Sequence, residues 1–186
     1  MNRTFKTLRT SFITLLVFTI LCGVVYTMTV TIIGQALFPT QANGSIVSVV
    51  SADGTKTNIG SSLIGQTFTD DKYLIGRPTT VSNLSPVSQQ EIMLGNERIM
   101  QWKELDPNND LLIPADLVMA SGSGADPYIS PEAAEYQVER IARIRKISEE
   151  QVRQIIKRYT VDKLLGIWGE SGVNVLLVNL ALDGLI

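Results

Sequence analysis

Two loop segments have residue types that could support chemistry. Asp70 and Asp71 are adjacent carboxylates, which could bind a cation or act as an acid–base pair. The Ser-Gly-Ser-Gly sequence at residues 121–124 could bend the backbone around an anion. Adjacent loop acids are usually only solvated, and Ser and Gly are typical turn residues. We therefore favour a structural interpretation of both segments over a catalytic or binding one.

A third candidate is a cluster of basic residues on the first of two predicted helices. Ser130 followed by proline is a helix start, and Ser148 with Gln151 matches a capping box. Two such helices resemble a helix-turn-helix, whose cations could contact phosphates. We expect a solvated helix face instead, because the domain is predicted below to lie outside the cytoplasm. The basic residues are Arg140, Arg143, Arg145 and Lys146.

Composition excludes several classes of function. The chain has no histidine and one cysteine, Cys22, so Ser-His-Asp and Cys-His catalysis are excluded and a zinc or copper site is not expected. All 18 acidic residues follow residue 52, and three of the 16 basic residues precede it. The resulting acidic domain argues against nucleic-acid binding. The sequence also has no phosphate-binding Gly-rich motif. The prediction is no catalytic residue, no metal ligand and no assignable cofactor-binding residue.

The elements that would position these residues begin with a membrane anchor. Residues 10–52 carry no charge, whereas Arg3, Lys6 and Arg9 precede them. A membrane-spanning helix needs about 20 apolar residues, and flanking cations are retained in the cytoplasm. Pro39 is expected to end the helix. The predicted divisions are a cytoplasmic N-terminus at 1–10, a transmembrane helix at 11–35 and an extracytoplasmic domain at 36–186.

Two alternative interpretations of the anchor are weaker. A cleaved signal peptide would have a shorter apolar core, and residues 34–38 form a poor cleavage site. Lipidation of Cys22 would require a small preceding residue, and Leu21 is not small. A stripe of small residues could let another helix pack closely, although ordinary tolerance of Thr and Gly in lipid is an equal alternative. The stripe comprises Gly23, Thr27, Thr31 and Gly34.

The remaining sequence predicts one α+β domain, with a β-rich first half and a helical second half. Residues 46–57 contain β-branched runs around Asp-Gly and predict a hairpin. Short strands or extended segments are predicted at 62–65 and 73–76. Residues 166–172 predict a loop that carries Trp168. The predicted helices cover residues 89–105, 114–119, 130–146, 148–158 and 173–182.

Several short motifs stand in a fixed order along nearly the whole chain. They are Gln-Ala-Asn-Gly-Ser at 41–45, Gly-Ser-Ser-Leu-Ile-Gly-Gln at 60–66, Gly-Arg-Pro at 76–78, Pro-Ala-Asp-Leu-Val at 114–118, Asp-Pro-Tyr-Ile-Ser-Pro-Glu-Ala-Ala at 126–134, Val-Asn-Val-Leu at 173–176 and Asn-Leu-Ala-Leu-Asp at 179–183. Together they resemble the C subunit of the bacterial Kdp potassium-transporting P-type ATPase complex. Two departures are Tyr128, where many members have histidine, and a short 83–88 segment without a Gly-rich stretch.

The resemblance implies a non-catalytic accessory subunit of an ATP-driven, high-affinity potassium uptake complex in the cell membrane. The implied partners are a P-type ATPase subunit, a channel-like potassium-translocating subunit and a small single-span peptide. The family subunit is needed for assembly and is described as a catalytic chaperone that raises the ATP affinity of the ATPase subunit. This chain lacks the Asp-Lys-Thr-Gly-Thr sequence of the pumps themselves.

The predicted topology conflicts with direct ATP binding, because it places the domain outside the cell and ATP is inside. No intrinsic cofactor is expected, and ATP would act through the ATPase subunit. A simpler hypothesis is that the domain packs over the outer entrance of the translocating subunit. The alternative function is a stand-alone, membrane-anchored extracellular binding or sensor module. An anchored hydrolase using carboxylates is a weaker third reading.

Overall fold

The computed structural model describes residues 3–50, 53–79 and 83–186. The chain divides into two compact units, residues 1–46 and residues 47–186. The first unit consists mainly of helix, and the second is an α+β domain, which confirms the predicted fold class.

The first unit is a helix of 35 residues, from Arg3 to Leu37, with mean hydropathy 2.3 in its most apolar window. None of that 18-residue window is buried, so the helix is long and apolar enough to cross a membrane. The Thr27 hydroxyl donates a hydrogen bond to the Cys22 carbonyl, 3.1 Å away and five residues back. As predicted, the helix ends just before Pro39. Its parts are α1 (Arg3–Ile20), a π-helical turn (Leu21–Tyr26) and α2 (Thr27–Leu37), followed by a short α3 (Pro39–Ala42).

A two-stranded sheet follows the anchor. It pairs β1 (Ile46–Val50) with β2 (Lys56–Ser61), which confirms the predicted hairpin. The Ser48 hydroxyl donates to the Asn58 side-chain oxygen across the pair, at 2.7 Å. The predicted turn includes residues 51–52, which lie outside the described residues.

The rest of the described domain mixes helices with a three-stranded antiparallel sheet in the order β3-β5-β4. The helices are α4 (Gln89–Leu105), α5 (Ala115–Val118), α6 (Pro131–Glu135), α7 (Val138–Arg145), α8 (Glu149–Arg158) and α9 (Val175–Leu182). The strands are β3 (Tyr128–Ile129), β4 (Thr160–Val161) and β5 (Gly172–Asn174). The predicted α4, the short α5 and the capping box of α8 are confirmed.

The core of the domain lies where α6, α7, α8 and α9 meet the three-stranded sheet. Ile141, Val152, Val173 and Val178 are completely buried there. A smaller cluster packs Val49 of the hairpin against Leu176 and Leu180 of α9. The faces of α7 and α8 that carry Ile141 and Val152 therefore enter the core.

The predicted single helix at 130–146 is wrong, because the chain breaks between α6 and α7. Ser130 caps α6 as expected, accepting from Ala133 N at 3.0 Å. At the break, the Gln137 side chain donates to the Ala133 carbonyl at 3.1 Å. The backbone N–H of Gln137 donates instead to the Ala134 carbonyl at 3.1 Å, which is the three-residue spacing of a 3-10 turn. The side chain thus takes a carbonyl that a continuous helix would use.

The predicted helix at 173–182 begins later than expected, although it ends at Leu182 as predicted. Residues up to Asn174 form β5, and the Asn174 side chain accepts from Leu177 N at 3.1 Å. That cap fixes the start of α9. The segment at 62–65 forms a turn instead of a strand. The segment at 73–76 is irregular, and side chains supply its hydrogen-bond partners.

Candidate functional site

Two buried carboxamides hold the segment around Leu74 as a neighbouring strand would. Leu74 N donates to Asn179 Oδ1 at 2.8 Å, and Asn179 Nδ2 donates back to the Leu74 carbonyl at 2.9 Å. Ile75 N donates to Gln137 Oε1 at 2.8 Å, and Gln137 Nε2 donates to the Ile75 carbonyl at 2.9 Å. Each amide therefore satisfies both backbone groups of one residue, which a buried segment requires.

Two further contacts fix the preceding turn. Asn174 Nδ2 donates to the Ser62 carbonyl at 2.8 Å, and Gly65 N donates to the Ala125 carbonyl at 2.7 Å. A Cβ atom at Gly65 would lie only 2.6 Å from the Asp126 carbonyl oxygen, so the two backbones approach too closely for a side chain. We call residues 62–76 the pinned segment, because contacts from distant parts of the chain hold it along its length.

Arg140 is the one completely buried charged residue among the described residues. Its guanidinium donates to the carbonyls of Asp71 and Tyr73, and to Gln137 Oε1 at 2.7 Å. Burial lowers the pKa of this group to about 10, against the opposing effect of the Asp106 charge. It still carries its proton at neutral pH, so a buried cation joins the pinned segment to α7.

A cluster of polar contacts near the surface joins residues 72–73 of the pinned segment to the end of α9. Arg145 donates to the Lys72 and Leu182 carbonyls, both at 2.7 Å, and pairs with Asp183 at 2.8 Å. The Tyr73 hydroxyl also donates to Asp183, at 2.8 Å. That hydrogen bond, with burial, raises the pKa of the Tyr73 phenol. The C-terminal end of α9 is thereby tied to the pinned segment.

A groove of about 460 Å³ opens beside the pinned segment. Its aromatic and charged lining residues are Phe68, Arg77, Arg98 and Trp102. Arg98 Nη1 donates to the Val118 carbonyl at 2.7 Å, and Arg77 Nη1 lies 3.7 Å from Asp126. Arg77 Nε is buried without a partner. The groove thus combines aromatic surface with cations whose charges are mostly compensated inside the domain.

A second groove, of about 610 Å³, collects carboxylates. Asp116 accepts from Ser130 N at 2.6 Å and from its hydroxyl at 3.2 Å. Asp126 accepts from Tyr128 N at 3.0 Å. Tyr128, which stands where the resemblance expects histidine, lines this groove, as does Glu170. Two of these acids therefore order the turns before β3 and α6.

The predicted loop candidates have structural roles. Asp70 accepts from Lys72 N at 3.1 Å, and this hydrogen bond lowers the pKa of its carboxyl. The Asp71 backbone carbonyl accepts a hydrogen bond from Arg140. Residues 121–124 form the expected turn, with Gly124 N donating to the Ser121 carbonyl at 3.1 Å. No set of three metal-ligating side chains comes together among the described residues.

The expectation of a solvated basic face on α7 is wrong for half of the cluster. Arg140 is buried, and the Arg145 side chain is only 12% exposed. Arg143 is more exposed, and it pairs with the buried Asp106 at 2.7 Å. Lys146 is exposed. The three arginines therefore bind carbonyls and carboxylates of their own domain.

Sequence reasoning missed the carboxamides as organising residues. A usable signal was present, because Asn179 lies within the otherwise apolar run of α9. Gln137 lies beside Val138 and one turn from Ile141, on the face that enters the core. A polar residue on such a face must find a hydrogen-bond partner. The partner's position, however, depends on the tertiary structure.

The long apolar helix and the pinned domain define a class: an α+β protein with an N-terminal candidate membrane-spanning helix, whose buried Gln137, Arg140 and Asn179 side chains hold the domain's own backbone. The chain matches the family described as "KdpC: K+-transporting ATPase, c chain" over residues 8–184. It is 54% identical to the potassium-transporting ATPase KdpC subunit of Listeria monocytogenes serotype 4a (strain HCC23), across 91% of each chain. It is 46% identical to that of Clostridium perfringens (strain ATCC 13124), across 97% of this chain and 98% of the relative.

The chain therefore belongs to the KdpC family, which confirms the resemblance found in its motifs. It is a subunit of a membrane transport complex, the potassium-transporting ATPase, and carries one N-terminal candidate membrane-spanning helix.

Proposed function

We propose that this chain is a non-catalytic subunit that stabilises a potassium-uptake complex from the outer side of the cell membrane. The observation that supports this most is the use of its buried polar groups. Asn179, Gln137 and Arg140 all bind backbone of the pinned segment. A catalytic acid or base must instead reach a substrate atom. A domain held in one shape suits docking to a partner with little loss of entropy.

The proposed orientation follows from the charges beside the anchor. Arg3, Lys6 and Arg9 precede the apolar part of the helix, and no charge follows until Asp53. Cations near a span are retained in the cytoplasm, and the first span usually sets the orientation. The N-terminus is then inside, and residues 36–186 are outside.

The proposed partners come from family resemblance. They are a P-type ATPase subunit, a channel-like potassium-translocating subunit and a small single-span peptide. The outer domain packs over the entrance of the translocating subunit and clamps the assembly. In this arrangement the domain does not meet cytoplasmic ATP. A chaperone effect on nucleotide affinity would pass through the ATPase subunit.

Thiol labelling in intact cells tests the orientation. Cys22→Ala removes the single native thiol, and Glu150→Cys or Thr4→Cys then adds one on either side of the anchor. Glu150 is exposed on α8. A membrane-impermeant maleimide should label the thiol at position 150 in intact cells and the thiol at position 4 only after lysis. The opposite pattern would overturn the proposed orientation.

Co-purification tests the assembly role. A C-terminal tag on the full chain, extraction in mild detergent and mass spectrometry should recover the P-type ATPase and channel-like subunits. A solitary chain, in cells that express those subunits, would favour the stand-alone module. Deleting the outer domain after residue 45 should reduce complex yield or potassium affinity. Unchanged assembly and uptake in that deletion would contradict the proposal.

A further inference from the structure

An exposed apolar tip lies between β4 and β5. We define the apolar tip as residues 164–168, in which four of the five side chains are large and apolar. Their exposed fractions are 67% for Leu164, 77% for Leu165, 76% for Ile167 and 64% for Trp168. Single exposed apolar residues are ordinary, but a contiguous group marks a contact surface. Nothing in the described part of the domain covers this group.

The tip is a tight turn whose backbone is largely satisfied from within. Leu164 N donates to the Trp168 carbonyl at 2.8 Å, and Trp168 N donates to the Leu164 carbonyl at 3.0 Å. Ile167 N also reaches the Leu164 carbonyl, at 3.2 Å, and Gly166 N donates to Lys163 at 3.0 Å. Four N–H groups of the tip therefore need no hydrogen bond from water or from a partner.

The turn places leucine where the backbone disfavours it. Leu165 and Gly166 both have positive φ, 53° and 74°, as the central residues of a type I′ turn do. Asn-Gly is the preferred pair for this turn, and a bulky residue at positive φ is strained. The turn thereby holds one more exposed apolar side chain, that of Leu165.

We propose that the apolar tip inserts into the interfacial layer of the lipid bilayer that carries the anchor. The charge pattern fits this occupant, because residues 164–169 are uncharged whereas Asp162, Lys163 and Glu170 stand behind them. Uncharged side chains enter the acyl boundary, and the ions behind them stay among the headgroups. Tryptophan is enriched at this depth. The internal hydrogen bonds lower the cost of placing this backbone in lipid, because four of its N–H groups already have partners.

A protein pocket fits the same surface less well. Interfaces between proteins average about one hydrogen bond per 100–200 Å², and their energetic centres are enriched in Trp, Tyr and Arg but poor in Leu. The tip offers one polar side-chain group, the indole N–H of Trp168. The anchor also tethers the domain to a bilayer, which raises the effective concentration of lipid at the tip. The proposal rests on the tip and the anchor, and not on the proposed partners or orientation, so it can fail independently of them.

Quenching of Trp168 by brominated lipid tests the proposal on the full chain. The purified protein is reconstituted into phosphatidylcholine vesicles whose acyl chains are dibrominated near the headgroup end, and into unbrominated vesicles. The chain has two tryptophans, and Trp102 is only 6% exposed, inside the domain. Bromine should therefore quench Trp168 emission, and Trp168→Phe should abolish the quenching.

A designed variant separates insertion from folding. Leu165→Asn creates the preferred Asn-Gly turn, so the thermal midpoint should stay at or above that of the wild type. It should also lower the ratio of inserted to free tips about tenfold, from the loss of one buried leucine. Adding Ile167→Thr should lower the ratio further. Leu112→Asn is the matched control, because Leu112 is 93% exposed on another loop, and it should leave the quenching unchanged.

Two results would overturn the proposal. One is wild-type emission that brominated lipid does not quench. If Trp168 then becomes shielded from an aqueous quencher when the other subunits assemble, a protein is the occupant. The other is quenching that Leu165→Asn with Ile167→Thr reduces no more than the Leu112→Asn control does.

Discussion

Replacing Asn179 with alanine should strongly destabilise the domain. Asn179 is 1% exposed, and its amide satisfies both the N–H and the carbonyl of Leu74, a residue that is itself completely buried. Asn179→Ala would leave both backbone groups buried and unpaired. Each such group costs about 1–3 kcal/mol, so the expected loss in free energy of unfolding is about 2–6 kcal/mol. That is a large part of the roughly 5–15 kcal/mol available to a typical domain.

Denaturant unfolding of the detergent-solubilised chain, followed by near-UV circular dichroism, would measure this loss. Asn179→Leu keeps the branched shape, in a somewhat larger side chain, but not the hydrogen bonds, and it should lose at least as much stability if unpaired groups are the cause. Gln154→Ala, at an exposed amide on α8, should change stability by less than about 0.5 kcal/mol. Hydrogen exchange should also show faster exchange of the Leu74 amide in the Asn179 variants. A loss below about 1 kcal/mol with a protected Leu74 amide would refute the assigned role.

Two further predictions concern the pinned segment. Gly65→Ala should cost about 1–3 kcal/mol in denaturant unfolding, because its Cβ would meet the Asp126 carbonyl oxygen at 2.6 Å. A Cβ atom at Gly122 would have no other atom within 4 Å, so Gly122→Ala should cost far less stability. Equal losses of stability in the two variants would contradict the steric argument. The raised pKa of Tyr73, caused mainly by its hydrogen bond to Asp183, means that the folded state holds the phenol proton more tightly. Its stabilisation should be complete up to pH about 10, the ordinary pKa of the phenol, so the stability difference between wild type and Tyr73→Phe should stay constant up to that pH and shrink above it. A difference that stays constant or grows above that pH would refute this linkage.

The features predicted correctly from sequence were those with local signals. The helix α4 and the capping box at Ser148 depend on residues within a few positions of each other, so the sequence displays them directly. The anchor is equally direct, since length and lack of charge suffice. The pairing of β1 with β2 was indicated by the β-branched runs around the Asp-Gly pair.

The features that sequence reasoning missed depend on contacts between distant residues. The break before α7 places the Gln137 amide against Ile75, 62 residues away. Arg140 lies on α7 among other cations, and nothing local distinguishes it as the one buried completely. Strands as short as β3 and β4, two residues each, carry no alternation that a pattern could detect. Pairing with β5 alone defines them.

The motifs that identify the family contain residues that hold the fold of this domain, more than residues that could contact lipid or a partner protein. Asn174 and Asn179 of the C-terminal motifs face inward and bind the pinned segment, and Asp183 ties Arg145 to it. A variant at these positions would lower complex yield by unfolding the subunit, whichever surface meets the partner. The lipid or protein contacts must involve exposed side chains instead, and the apolar tip around Trp168 is the most concentrated apolar set on one described loop. Substitutions there that preserve the turn separate recognition from folding, which substitutions in the motifs cannot do.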